Sequence, residues 1–207
     1  MITESLRILD GAPGLQSLIG RAADLDASAS VRFRQLGHWV DVFVTTPFQV
    51  VASRRIEGTA SRDGAVVSAV ELIDALRAGT ETIGAARDPN WPGALPPAEG
   101  FTLVDNIPVT IVRELADKGQ ALARQFSGPL GPPASLLDQT VLTVEGEAGT
   151  AEITMRMIFT CTSLGLIPGF SAPMDIPRHL RVSVSGRWVR VDAPFGTVYR
   201  STTLSLF

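Results

Sequence analysis

Residues able to do chemistry are sparse in this chain of 207: two histidines, one cysteine and a scatter of serines and acids. His38 and His179 each stand beside a hairpin or loop, outside any H-x-x-x-H or H-E-x-x-H spacing. With no C-x-x-C pair either, the sequence predicts no bound transition metal. Ser171 lies in GFSAP, residues 169–173, which begins like a nucleophile elbow. It lacks the second glycine and falls in a proline-rich stretch, so an ordinary loop serine is expected. Gly11 and Gly14 follow a strand-like segment without the spacing of a P-loop or dinucleotide fingerprint, and no cofactor is expected. Cys161 falls on an apolar face and reads as a buried, inert thiol. As the single cysteine it leaves no internal disulfide.

One pattern does mix apolar and charged groups, and the chain writes it twice. Residues 37–54 read GHWVDVFVTTPFQVVASR, and residues 186–201 read GRWVRVDAPFGTVYRS. In a strand alternate side chains face opposite ways. Val40, Val42 and Val44 therefore share one face, as do Val189 and Val191. Trp39 and Asp41 take the other face, as do Trp188, Arg190 and Asp192. The valine rows are core. The tryptophan faces allow two readings: packing beneath helices at 69–78 and 107–126, or a groove or subunit interface, where Trp and Arg are enriched. Arg32 and Arg34 share a strand face, and Arg54 and Arg55 close the next strand but one. Four arginines there could grip a phosphate or carboxylate, or could solvate an edge strand. The candidate binding residues are thus Trp39, Asp41, Arg54, Arg55, Trp188 and Arg190, with no catalytic and no metal-binding residue.

The elements that must position them are legible in outline. Residues 5–11 alternate as a strand, and 13–25 carry Leu15, Leu18, Ile19 and Ala22 at helical spacing behind Pro13. Strands are expected at 30–36, 38–45 and 48–56. Ser68 and Glu71 form a capping-box pair ahead of a helix at 69–78 that Gly79 ends. Four prolines in 86–100 exclude a helix or central strand there and mark a linker or long loop. A strand at 101–105 leads to a long helix at 107–126 with Ile111, Val112, Leu115, Leu122 and Phe126 down one side, and 127–135 is a rigid loop. A strand at 140–146 follows. Residues 151–165 fit both periods, and Gly165 and Pro168 favour helix. A proline-rich loop at 166–178 precedes strands at 180–185, 187–192 and 196–206.

Residues 5–56 and 140–202 therefore share one order, strand, helix, three strands. The expected fold is α+β, a single compact domain over 1–207 built from two similar modules related by a pseudo-two-fold, with antiparallel sheet and a connecting helical region at 57–139. This order resembles the double hot-dog architecture of acyl-thioester enzymes. That resemblance implies a pocket between modules for an acyl or other apolar small molecule.

Composition narrows the function without fixing it. A formal net charge of −3 with 19% charged residues shows no basic excess, so the sequence predicts no nucleic-acid partner. Lys118 is the only lysine among 18 cationic residues, a bias that points to a GC-rich bacterial genome. The first residues lack a signal-peptide pattern and no apolar run is long enough to span a bilayer, so a cytoplasmic protein without a membrane partner is expected. Three readings follow: a non-catalytic binding or protein-interaction protein, first because polar groups do not cluster; an enzyme or carrier for an apolar small molecule; and a chaperone-like adaptor for a helical partner. A homo-oligomer fits the first and third.

Overall fold

Alternation and local capping select the elements of the N-terminal half. The computed structural model describes residues 2–126 and 131–202. Strand β1 (Thr3–Asp10) leads into α1 (Ala12–Leu25), whose second residue is Pro13, where a missing N–H costs nothing. Then come β2 (Ser30–Leu36), β3 (Trp39–Thr45), β4 (Val51–Ala60), β5 (Val66–Ser68), α2 (Ala69–Ala78), β6 (Thr82–Ala85) and a 3-10 turn at Asp88–Asn90. The pairings are antiparallel: β5 with β2, β2 with β3, β3 with β4, β4 with β1 and β1 with β6. In the C-terminal half, β7 (Thr102–Pro108), α3 (Val109–Phe126) and α4 (Ala134–Leu137) precede β8 (Thr140–Gly146) and β9 (Gly149–Thr154). After α5 (Met155–Ser163) come β10 (His179–Ser185), β11 (Trp188–Ala193) and β12 (Gly196–Ser201). Here β7 pairs β10, β10 pairs β11 and β11 pairs β12, again antiparallel, while β8 and β9 form a separate hairpin. The architecture is mixed α+β with antiparallel sheet.

The chain divides into two compact units, Met1–Ala94 and Leu95–Phe207, where the sequence reading expects one body. The division falls inside the proline-rich stretch 86–100. Each unit closes an apolar core with its own helices. In the first, Leu15, Leu18 and Ile19 of α1, Phe33, Val40, Val42, Val44 and Leu72 are fully buried. Each such side chain contributes about 1.5–3 kcal/mol relative to exposure. In the second, Ile153, Met157, Ile158, Val182 and Val198 are buried likewise. Gly119 lets α3 approach α5: a Cβ there would lie 2.5 Å from the Met155 sulfur and 3.0 Å from the Phe159 ring.

Four sequence expectations need correction. Helix α2 has the expected bounds and Ser68 at its N-cap, but the Ser68 side chain makes no capping hydrogen bond. Ser68 belongs to β5, paired with Ser30, and the strand bonding runs on into the helix start, where the Ala69 N–H donates to the Ala29 carbonyl at 2.9 Å. Glu71 is drawn away by the Ala85 N–H at 3.2 Å and by Arg87. Second, the buried stripe of α3 is Val109, Val112, Ala116 and Gly119, while Ile111, Leu122 and Phe126 are exposed. Small residues form the seam because α5 packs close, and that is invisible to a count of large apolar side chains. Third, residues 149–154 are strand and only Met155–Ser163 is helix. Every residue from Met155 to Cys161 is buried, so no exposed face separates the helical period from the strand period. Fourth, the loop expected at 127–135 contains α4, and its residues 127–130, like 203–206 of the last expected strand, lie outside the described residues.

Candidate functional site

Register places the sequence-selected residues on definite faces. Arg34, Asp41 and Arg55 lie directly opposite one another across β2, β3 and β4. Arg55 grips Asp41 with both ends of its fork, Nε to Oδ1 at 2.6 Å and Nη2 to Oδ2 at 2.9 Å. Such bidentate geometry fixes both side chains more firmly than a single contact. Asp41 is buried and Arg55 exposed, while the Arg34 guanidinium stacks 5.0 Å from the Phe43 ring. Trp39 ends this face beside His38, ring centroids 4.8 Å apart, and is 38% exposed.

Arg54 belongs elsewhere. It shares the valine face, opposite Val42, and its guanidinium runs under α1, where a Cβ on Gly14 would sit 2.1 Å from Arg54 Cζ. Burial holds its pKa below the ordinary arginine value. The four-arginine cluster is therefore split, with Arg32, Arg34 and Arg55 on one face and Arg54 on the other. Helix α1 lies on the valine face, with Gly11 at its N-cap against Ile56.

In the second unit Trp188 is half-buried, with the Arg187 guanidinium 5.9 Å from its ring centroid. Arg190 bonds Asp192 at 3.0 Å, Thr197 donates to the same carboxylate at 2.9 Å, and the Arg190 guanidinium lies 4.6 Å over the Phe101 ring. Each tryptophan thus shares its strand face with an acid paired to an arginine, each within its own unit.

Sequence reasoning missed three further arrangements. Glu4, only 1% exposed, accepts from Ser61 and from Arg62 Nε at 2.8 Å, and Arg62 reaches on to Asp88 at 2.6 Å. Arg62 hydrogen bonding holds the Asp88 carboxyl below its usual range. The partners stand 26 to 58 residues apart, so no local motif announces them. A cavity of about 480 Å3 opens beside α3 and α4, lined by Leu122, Phe126, Pro133, Ser135, Leu136 and Gln139. Finally, the 166–178 loop displays Phe170 and Met174, 86% and 92% exposed. Among the described residues no group of three or more His, Cys, Asp or Glu could hold a metal ion.

Residues 96–205 match the family model described as Domain of unknown function (DUF8185), which spans more than half of the chain. The chain belongs to the DUF8185 family. Residues 1–93 match a second model, Domain of unknown function (DUF8010). No curated protein matches the chain. Among solved structures it is similar to the DNA polymerase sliding clamp from Pseudomonas aeruginosa, at 12% identity and a TM-score of 0.57, over 100% of this chain and 65% of that one. It is also similar to the Caulobacter crescentus beta sliding clamp, at 9% identity and 0.59, over 99% and 66%. The DNA polymerase III beta chain from Streptococcus pneumoniae gives 8% identity and 0.55, over 100% and 66%. The chain therefore spans just under two thirds of the length of these structures, and at such identities the likeness is one of fold.

That fold overturns the functional expectations. The likeness to a double hot-dog carrier fails, and with it the acyl-ligand pocket; the adaptor for a helical partner and the general interaction protein are likewise replaced. The exclusion of nucleic acid also falls, because the proteins sharing this fold are DNA polymerase clamps. Net charge is a sum over the whole chain and does not by itself exclude a nucleic-acid partner.

Proposed function

We propose that this chain is a sliding-clamp-like protein that holds itself, or a partner, on duplex DNA without acting on the DNA chemically. The observation that carries the reading is the fold match to sliding clamps over the entire chain. A net charge of −3 is compatible with it. Proteins that bind duplex by neutralising phosphates need many cationic contacts, and their affinity collapses with salt. One retained by topology needs few, and weak contacts favour sliding. The test is whether retention on duplex DNA depends on blocked ends rather than on salt. A role on DNA implies a cytosolic protein; among the described residues no helix is long and apolar enough to cross a membrane.

Two finer readings belong to the same proposal. In the first unit β1-α1-β2-β3-β4 run in the expected order. In the second, the expected strand at 140–146 is β8, and a further strand, β9, stands between it and α5-β10-β11-β12, while Trp39 and Trp188 each open the second of the three strands. This supports an internal repeat, with Trp39 and Trp188 at equivalent places. We further propose that the faces bearing Trp39, Asp41 and Arg55, and Trp188 and Arg190, are contact surfaces for a macromolecular partner, with Arg54 as internal support. The exposure of Trp39 and the paired acid and arginine beside each tryptophan favour this.

A further inference from the structure

The 166–178 loop is held by arginine yet leaves its largest apolar side chains in water. Arg178 donates from Nη1 to the Gly169 carbonyl at 2.9 Å and from Nη2 to the Ala172 carbonyl at 2.7 Å. Arg113, from α3, donates to the Pro168 carbonyl, and its guanidinium carbon lies 4.4 Å from the Phe170 ring centroid. Within the loop the Ala172 N–H reaches the Gly169 carbonyl at 3.2 Å. The loop is thus shaped in advance, and ordering it costs little on binding.

Two features define what such a loop would take. First, Phe170 has a guanidinium against one face and is still 86% exposed, so its other face is open to a flat partner. Met174, 92% exposed, extends the apolar surface. Second, carbonyl acceptors carry no net charge, so both guanidinium groups keep theirs. Among the described residues neither Arg113 nor Arg178 forms an ion pair with a carboxylate. Asp175 is the single acid in 166–181. The loop therefore carries two guanidinium groups, Arg113 and Arg178, beside a single acid of its own. An open aromatic face framed by uncompensated arginines suits a nucleobase with its phosphates, the combination used for unpaired strands.

We propose that the 166–178 loop is a stacking site for an unpaired nucleobase, with Phe170 as the platform and Arg113 and Arg178 as its cationic frame. The inference rests on the DNA-directed reading above for the class of partner, and adds to it a contact with single-stranded or frayed DNA. The probe is a short labelled oligothymidylate, followed by fluorescence anisotropy at low salt, with the matching duplex for comparison. Phe170→Ala should weaken oligothymidylate binding about tenfold. Phe170→Trp should retain it, and both variants should unfold like the parent because the side chain is exposed. Oligothymidylate binding that is absent from the parent, or equal in parent and Phe170→Ala, overturns the proposal. So does Phe170-dependent binding to anionic phospholipid vesicles with none to oligothymidylate, which would assign the loop to a membrane. A short oligonucleotide slips out of any ring, so this outcome is independent of whether the protein is held topologically on DNA.

Discussion

Removing the Glu71 carboxylate should destabilise the first unit more than removing the hydroxyl at the helix N-cap. An N-cap serine normally contributes about 1 kcal/mol through its bond to a backbone N–H. Ser68 makes no such bond, and the Ala69 N–H is already satisfied by Ala29. Ser68→Ala should therefore cost only a few tenths of a kcal/mol, roughly the spread of ordinary surface changes. Glu71 instead ties α2 to the segment after β6, through the Ala85 N–H at 3.2 Å and the Arg87 guanidinium. The hydrogen bond, partly buried, is worth about 1 kcal/mol. The ion pair, with side chains 43% and 36% exposed, adds at most about 1 kcal/mol after solvent screening. Glu71→Ala should then cost about 1–2 kcal/mol, a fall in Tm of roughly 2–8 °C for a chain of this size. Thermal and urea unfolding of both variants measure this directly. A Ser68→Ala loss near 1 kcal/mol with Glu71→Ala unchanged would refute the reasoning and restore the capping box.

Asp88 gives a pH dependence with a definite sign. Its carboxyl is held below the usual range chiefly by Arg62, so its contribution is present above the unfolded carboxylate value, about 3.9, and is lost as pH falls through the lower folded value. The parent should lose stability on acidification below about pH 4 more steeply than Asp88→Asn, as followed by urea midpoints. Burial pushes the Cys161 thiol up to about 12, so alkylation at mildly basic pH should be negligible until denaturant is added; rapid labelling of the native protein would contradict its burial. If Trp39 forms part of a contact surface, Trp39→Ala should leave urea unfolding nearly unchanged while weakening association with DNA or with further copies. The same change at half-buried Trp188 should also cost stability, and the reverse pattern would count against the assignment.

How much was legible follows from where each signal resides. The N-terminal strand, helix and three strands could be read because each carries local punctuation: Asp10-Gly11, Pro13, Gly37, Pro47. The valine rows declared their face through alternation alone. The start of α5 is not legible, since residues 151–157 satisfy the strand and the helical period alike and the segment is buried on every side. The α3 seam was misjudged because Ala116 and Gly119 matter through closeness of approach, a property of the partner helix. At the candidate sites, Asp41 and Arg55 were selected, but their pairing needed the register of β3 with β4. Arg54 and Arg55 looked like one cluster, although neighbours in a strand point oppositely. Phe170 is not legible as a site because a loop aromatic gives no sequence sign of exposure, and Arg113, which holds its loop from α3, lies 55 residues from Pro168.

Retention on end-blocked duplex tests the clamp-like reading most directly. Duplex DNA tethered to beads by one end is incubated with the protein, the free end is then capped with a bulky group, and the beads are washed at high salt. Charge-mediated binding is lost under that wash, whereas a threaded protein remains. Retention is expected on capped DNA, with release when the duplex is cut between bead and cap and none on uncapped DNA. Loss from capped and uncapped DNA alike at high salt, or equal retention on both, would contradict it.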